Sequence, residues 1–213
     1  MTTHDSLAQS ERAALCDLFT QVGPDAPTLC EGWTTRDLAA HLVVRERRPD
    51  AAIGIVVKPF AGHGDRVRDK VAAKPWDELV GLVRSGPPVT SPMRIGAIDR
   101  AANTSEFFIH HEDVRRAQPD WAPRNLDADT EAELWKVLGR TAKLAVRKVP
   151  VGVTLATPSG DRLVARNRQP MVEVAGPASE LVLFLSGRGD HARVEFSGDD
   201  DAVAKLRATP LGF

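Results

Sequence analysis

In the ten residues SEFFIHHEDV, 105–114, two patterns overlap. Phe107, Phe108 and Ile109 call for burial, while Glu106, His110, His111, Glu112 and Asp113 bind protons or metal ions. The surrounding run, from about Ile95 to Gln118 and stopped by Pro119, predicts one helix. Helix geometry then says which groups act together. Residues four apart differ by about 40° around the axis and stack one turn apart. Asn103, Glu106, His110 and Asp113 form such a line at 3-4-3 spacing. An apolar line through Ile95, Ile98, Ala102 and Ile109 lies only about 60° away, so the polar seam follows the margin of the core face. Burial there without partners is costly. His111 points roughly 100° away from His110, which makes it a weaker ligand candidate and a surface or outer-sphere group.

A second helix offers a partner for the seam. In WTTRDLAAHLVV, from Trp33, Thr34 is the N-cap, Asp37 completes a capping box, and Trp33 and Leu38 suit a hydrophobic staple. His41 falls beside Leu38 and Leu42, close to the apolar face. A lone histidine there reads first as a core residue, and a lone Glu-x-x-x-His reads first as a salt-bridged pair. Together they form a pattern by which helical bundles build metal sites: one inward His, with an inward Glu and His on another helix. Three ligands, His41, Glu106 and His110, leave coordination positions for water or substrate, as catalytic zinc sites do.

The rest of the chain frames these two helices. Helices are expected from about Asp5 to Val22 and from Pro75 onward, with a polar loop and a possible short helix over 58–74. After QPDWAPRNLD (118–127) the pattern changes. A helix over about 129–147 leads into a hairpin about Ser159-Gly160-Asp161. There follow a strand in PMVEVAG, a helix in PASELVLFLSGR, a strand in ARVEFSG and a last helix in DDDAVAKLRA. The fold class expected is α+β: a four-helix bundle over 1–122 and a small α+β domain over 123–213.

Composition narrows the function. The 213 residues carry a formal net charge of -1, with 42% hydrophobic and 27% charged residues, so a polyanion-binding surface is not expected. The basic run Arg45-Glu46-Arg47-Arg48 reads as a solvated helix face, with an anion site as the sharper alternative. Two cysteines without a CxxC give neither a disulfide framework nor a zinc-finger pattern. Cys16 reads as a core filler and Cys30 as a loop residue. The chain start has no signal-peptide shape and no apolar stretch is long enough for a membrane span, so a cytoplasmic protein is the default. His63 reads as a loop residue, and His4 and His191 as surface residues.

The segments LCEGWTTRDLAAHLVVRERRPDAAIG (29–54) and SEFFIHHEDVRRAQPDW (105–121) resemble the two metal-binding signatures of the mycothiol-dependent maleylpyruvate isomerase family. That family belongs to the DinB-like superfamily of four-helix metalloproteins. Trp33, Thr34, Asp37, Leu38, His41 and Leu42 match the first signature, and Glu106, His110 and Asp113 the second. The resemblance implies His41, Glu106 and His110 as ligands of a divalent metal. The segment VAGPASELVLFLSGRGD and the later VEFSGDDDAVAKL resemble the family's small C-terminal domain. Ser186 stands where the family has a tryptophan.

The chemistry expected follows from an open His₂Glu site. Such a metal, zinc first and Ni²⁺ or Fe²⁺ as alternatives, lowers the pKa of a bound thiol or water. In the family resembled, the thiol is mycothiol. The expectation is a metal-dependent thiol S-transferase or isomerase acting on a small electrophile, with Asp113 or Asp37 behind a ligating histidine. A metal-dependent hydrolase and a non-catalytic metal-binding module are the alternatives. Small molecules, not nucleic acid or membrane, are the partners expected.

Overall fold

The computed structural model describes residues 6–48, 61–88 and 98–212, with backbone alone at 61 and 98–102. The fold is α+β, with a helical N-terminal part and a four-stranded sheet with helices after it. Two compact units divide at Ala122 and Pro123.

The first unit carries five helices among its described residues: α1 Leu7–Val22, α2 Thr35–Arg47, α3 Ala61–Ala72, α4 Trp76–Ser85 and α5 Ile98–Arg115. Their ends follow from local chemistry. The Ser6 amide donates to Gln9 Oε1 at 2.9 Å, and Gly23, at φ +81°, ends α1. The Thr34 amide donates to Asp37 Oδ2 at 3.0 Å, closing the capping box that starts α2. The last carbonyls of α3 are met by Arg36, whose Nη1 reaches Ala72 O at 2.8 Å and Lys74 O at 3.0 Å. Residues 61–72 are thus three turns of helix where the sequence suggested mostly polar loop, and exposed His63 sits on that helix. Its buried residues, Val67 and Val71, are four apart, and the polar residues between them hide the stripe.

Helix α1 packs on α4 and α5, and α2 packs on α3 and α4. Leu15, Cys16 and Phe19 meet Leu38, Leu42, Leu79, Val83, Phe107 and Val114 in one core. Full burial of each large side chain contributes roughly 1.5–3 kcal/mol. Cys16 is fully buried, as its place in the apolar run implied, and both cysteines are free.

Of the basic run, only Arg48 is exposed. Arg45 reaches Asn103 Oδ1 at 2.6 Å, and Glu46, 2% exposed, pairs with Arg12 Nη1 at 2.7 Å. Arg47 Nη2 donates to Gly86 O at 2.6 Å, at the end of α4. Successive residues step about 100° around a helix, so four consecutive charges cannot all face water when the helix is packed on two neighbours.

The second unit contains α6 Ala128–Ala145, β1 Gly152–Ala156, β2 Arg162–Arg166, β3 Met171–Ala175, α7 Ala178–Leu185, β4 Glu195–Gly198 and α8 Asp200–Ala208. The sheet order is β2-β1-β3-β4. Strands β1 and β2 form the expected antiparallel hairpin, β1 and β3 are parallel with Val153 opposite Val172, and β3 and β4 are antiparallel. Gly152 is required where β1 begins, because a Cβ would lie 2.0 Å from Arg168 O. Leu134 and Leu138 from α6, Leu155, Val174, Leu181, Leu183 and Leu206 are buried in this unit. His191 is half-buried in a short 3₁₀ turn, and His4 lies outside the described residues. So does Ile95. No described helix is long and apolar enough to cross a membrane.

Candidate metal centre

Helices α2 and α5 bring His41, Glu106 and His110 together. His41 Nε2 lies 3.2 Å, and His110 Nε2 3.3 Å, from Glu106 Oε1. The ligand-type atoms of the three all fall within 4.8 Å of one another. Glu106 and His110 meet because they are four apart on α5, and His41 arrives from α2 through the cap geometry that starts that helix. The Trp33 ring lies 5.1 Å from the His41 ring and walls one side.

A second layer stands behind His110. Its Nδ1 lies 2.9 Å from Asp113 Oδ2, and Asp113 has no exposure. Donation from Nδ1–H to this carboxylate fixes the ring with Nε2 turned toward Glu106, so Nε2 is the nitrogen placed to bind a metal in exchange for its proton. Cys30 Sγ–H donates to the same Oδ2 at 3.2 Å and lies 3.9 Å from His110 Nδ1. Cys30, His110 and Asp113 thus form a second compact group of metal-binding types that shares His110 with the first.

The loop carrying Cys30 is held to the helices. Leu29 N donates to Asp113 O at 3.0 Å, Cys30 N to Thr28 Oγ1 at 3.2 Å, and Thr28 Oγ1 to Trp33 O at 2.9 Å. Sequence reasoning passed over Cys30 because nothing local ties residue 30 to residue 113. The nearest signal was its place five residues before the start of α2, the helix that presents His41.

Arg45, read from the sequence only as part of a basic run, also joins the group. Its Nε lies 3.3 Å from Glu106 Oε1, while its Nη1 is fastened to Asn103 Oδ1. The polar seam foreseen on α5 is therefore real, and it is buried with partners rather than marginal: Asn103 is 4% exposed and Asp113 fully buried. Of the two carboxylates considered behind a histidine, Asp113 takes that place. Asp37 engages Thr34 in the capping box. His111 is neither a surface residue nor in contact with the cluster. It is buried, with Nδ1 2.7 Å from Glu11 Oε2 on α1.

The electrostatics suit a charged ligand set. Burial holds His41 below its usual pKa, against the opposing pull of Glu106. Burial would raise Glu106, but hydrogen bonds from His110 and His41 outweigh it and hold the carboxyl well below its ordinary range. Burial would likewise lower His110, and the hydrogen bonds of Asp113, Cys30 and Glu106 push it well above instead. A neutral imidazole, an ionised carboxylate and an imidazole with one fixed nitrogen make a donor set of catalytic-zinc type, and the residues present fit a divalent ion.

No family model and no curated protein matches the chain. Two solved structures share its fold over 90% of each chain. The mycothiol-dependent maleylpyruvate isomerase is 18% identical with a TM-score of 0.61, and a histidine-to-alanine variant of that enzyme is 17% identical with a TM-score of 0.60.

Proposed function

We propose that this chain holds one divalent metal ion through His41, Glu106 and His110 and activates a low-molecular-weight thiol for transfer to, or isomerisation of, a small electrophile. The observation that carries the proposal is the convergence of two imidazole Nε2 atoms on one carboxylate oxygen, with one of the imidazoles fixed from behind by a buried aspartate. The name of the structural neighbours supports thiol chemistry over other uses of the same ion.

A divalent ion held there supplies the positive charge that lowers the pKa of a thiol or water reaching its open position. The chain's own residues prepare that position. Asp113 keeps the proton on His110 Nδ1, so Nε2 remains the donating nitrogen. Burial keeps His41 neutral, the form that donates a lone pair. Arg45 and the two histidines hold Glu106 ionised.

Metal analysis followed by spectral titration tests the proposal. The purified protein should contain about one divalent ion per chain. The cobalt-substituted protein should gain a near-ultraviolet sulfur-to-metal band when titrated with mycothiol or its cysteinyl-glucosamine analogue. Tighter binding of acetohydroxamate, with no such band, would replace thiol chemistry by hydrolysis. A protein that takes up no ion would remove both.

A further inference from the structure

Arg45 stands beside the candidate metal centre and adds a positive charge to that of a divalent ion. Its Nε lies 3.3 Å from Glu106 Oε1, its Nη1 is fixed by Asn103 Oδ1 at 2.6 Å, and its side chain is 15% exposed. Nη2 makes no hydrogen bond among the described residues. The nearby carboxylates on the same helices have partners elsewhere, Glu46 in Arg12 and Glu112 in Arg115 and Arg116. We propose that Arg45 makes the open position of the centre selective for anionic ligands, an inference that rests on the metal reading above.

The argument is one of charge balance in a site shielded from water. His41 and His110 contribute no charge when their Nε2 atoms donate. Glu106 and Asp113 contribute one negative charge each, which together offset a divalent ion. Among the described residues, Arg45 then leaves the group with a surplus of one positive charge. Burial penalises an unbalanced charge, and the low local dielectric magnifies it. An anion entering the open position restores neutrality, whereas a neutral ligand leaves the surplus in place. Because the guanidinium is anchored on Asn103 Oδ1, its charge is held at a fixed place beside the open position. For a thiol cosubstrate the consequence is capture of the thiolate in preference to a neutral competitor, including water.

Two small probes that bind metals test this without any substrate. Azide is anionic, and imidazole at pH 8 is neutral. Each is titrated into cobalt-loaded wild type, Arg45→Lys and Arg45→Met, and binding is read from the visible spectrum. The ratio of azide affinity to imidazole affinity should fall about tenfold in Arg45→Met, the scale of one screened charge interaction at this range. In Arg45→Lys it should stay within about threefold of wild type, because the charge remains. Arg45→Gln provides the same comparison if the methionine variant does not fold. An unchanged ratio in the uncharged variant overturns the inference and leaves the metal centre standing. A wild-type protein that takes up no cobalt overturns both.

Discussion

His110 Nδ1 and Asp113 Oδ2 lie 2.9 Å apart across one turn of α5, with the aspartate wholly buried. That contact decides which imidazole nitrogen is free. It also draws Cys30 to the same oxygen. Asp113→Ala should therefore weaken metal binding about 10–100-fold while leaving all three ligands in place. Competition with a chromogenic chelator measures the change, and an unaltered affinity would deny Asp113 its role.

Replacing His41, Glu106 or His110 by alanine should each abolish stoichiometric metal uptake. His111→Ala should keep the metal and lose stability instead, by roughly 3 kcal/mol or more, because it breaks a buried pair with Glu11. Metal content and urea unfolding of the same preparations separate the two effects. Equal metal loss at His110 and His111 would contradict the helical register.

The two cysteines should behave differently. Burial pushes the Cys16 thiol up to about 11, so it stays protonated and sheltered at pH 8. A chromogenic disulfide reagent should label only Cys30 in the native protein and both thiols after unfolding. Rapid native labelling of Cys16 would show that the core opens easily.

Cys16 also gives a stability window. Its folded pKa lies above the ordinary thiol value of 9.0, so its contribution is fully present below about pH 9 and is lost as pH rises through about 11. Between pH 8 and 10.5 the wild type should lose about 2 kcal/mol more unfolding free energy than Cys16→Ala. Parallel pH curves for the two proteins would assign alkaline unfolding to other groups.

Gly152→Ala and Gly139→Ala should move stability in opposite directions. An added Cβ at Gly152 would lie 2.0 Å from Arg168 O, so backbone must shift and a loss of about 3 kcal/mol is expected. At Gly139, exposed on α6 with nothing within 4 Å, alanine should stabilise the protein by up to about 1 kcal/mol. Thermal unfolding of the pair measures both signs.

Much of this molecule was legible one segment at a time. The spacing within Asn103–Asp113 put Glu106, His110 and Asp113 on one line, because rotation per residue is a property of the helix itself. The capping box of Thr34 and Asp37, the stop at Gly23 and the Ser159–Asp161 hairpin turn are likewise local chemistry. So are the alternating strand β3 and the apolar run of α7.

Only the tertiary structure decided what stands opposite each of these residues. His111 was placed correctly away from His110, yet the α5 register could not say that Glu11, 100 positions earlier, would meet it in the interior. Cys30 reaches Asp113 across 83 positions and Arg45 reaches Asn103 across 58. A sequence fixes the angle of a side chain about its own helix axis, whereas burial and partnership depend on which other helix covers that angle. The run from Arg45 to Arg48 therefore reads as solvated in isolation, yet Arg45, Glu46 and Arg47 meet partners on α5, on α1 and at the end of α4, and Arg48 stays exposed.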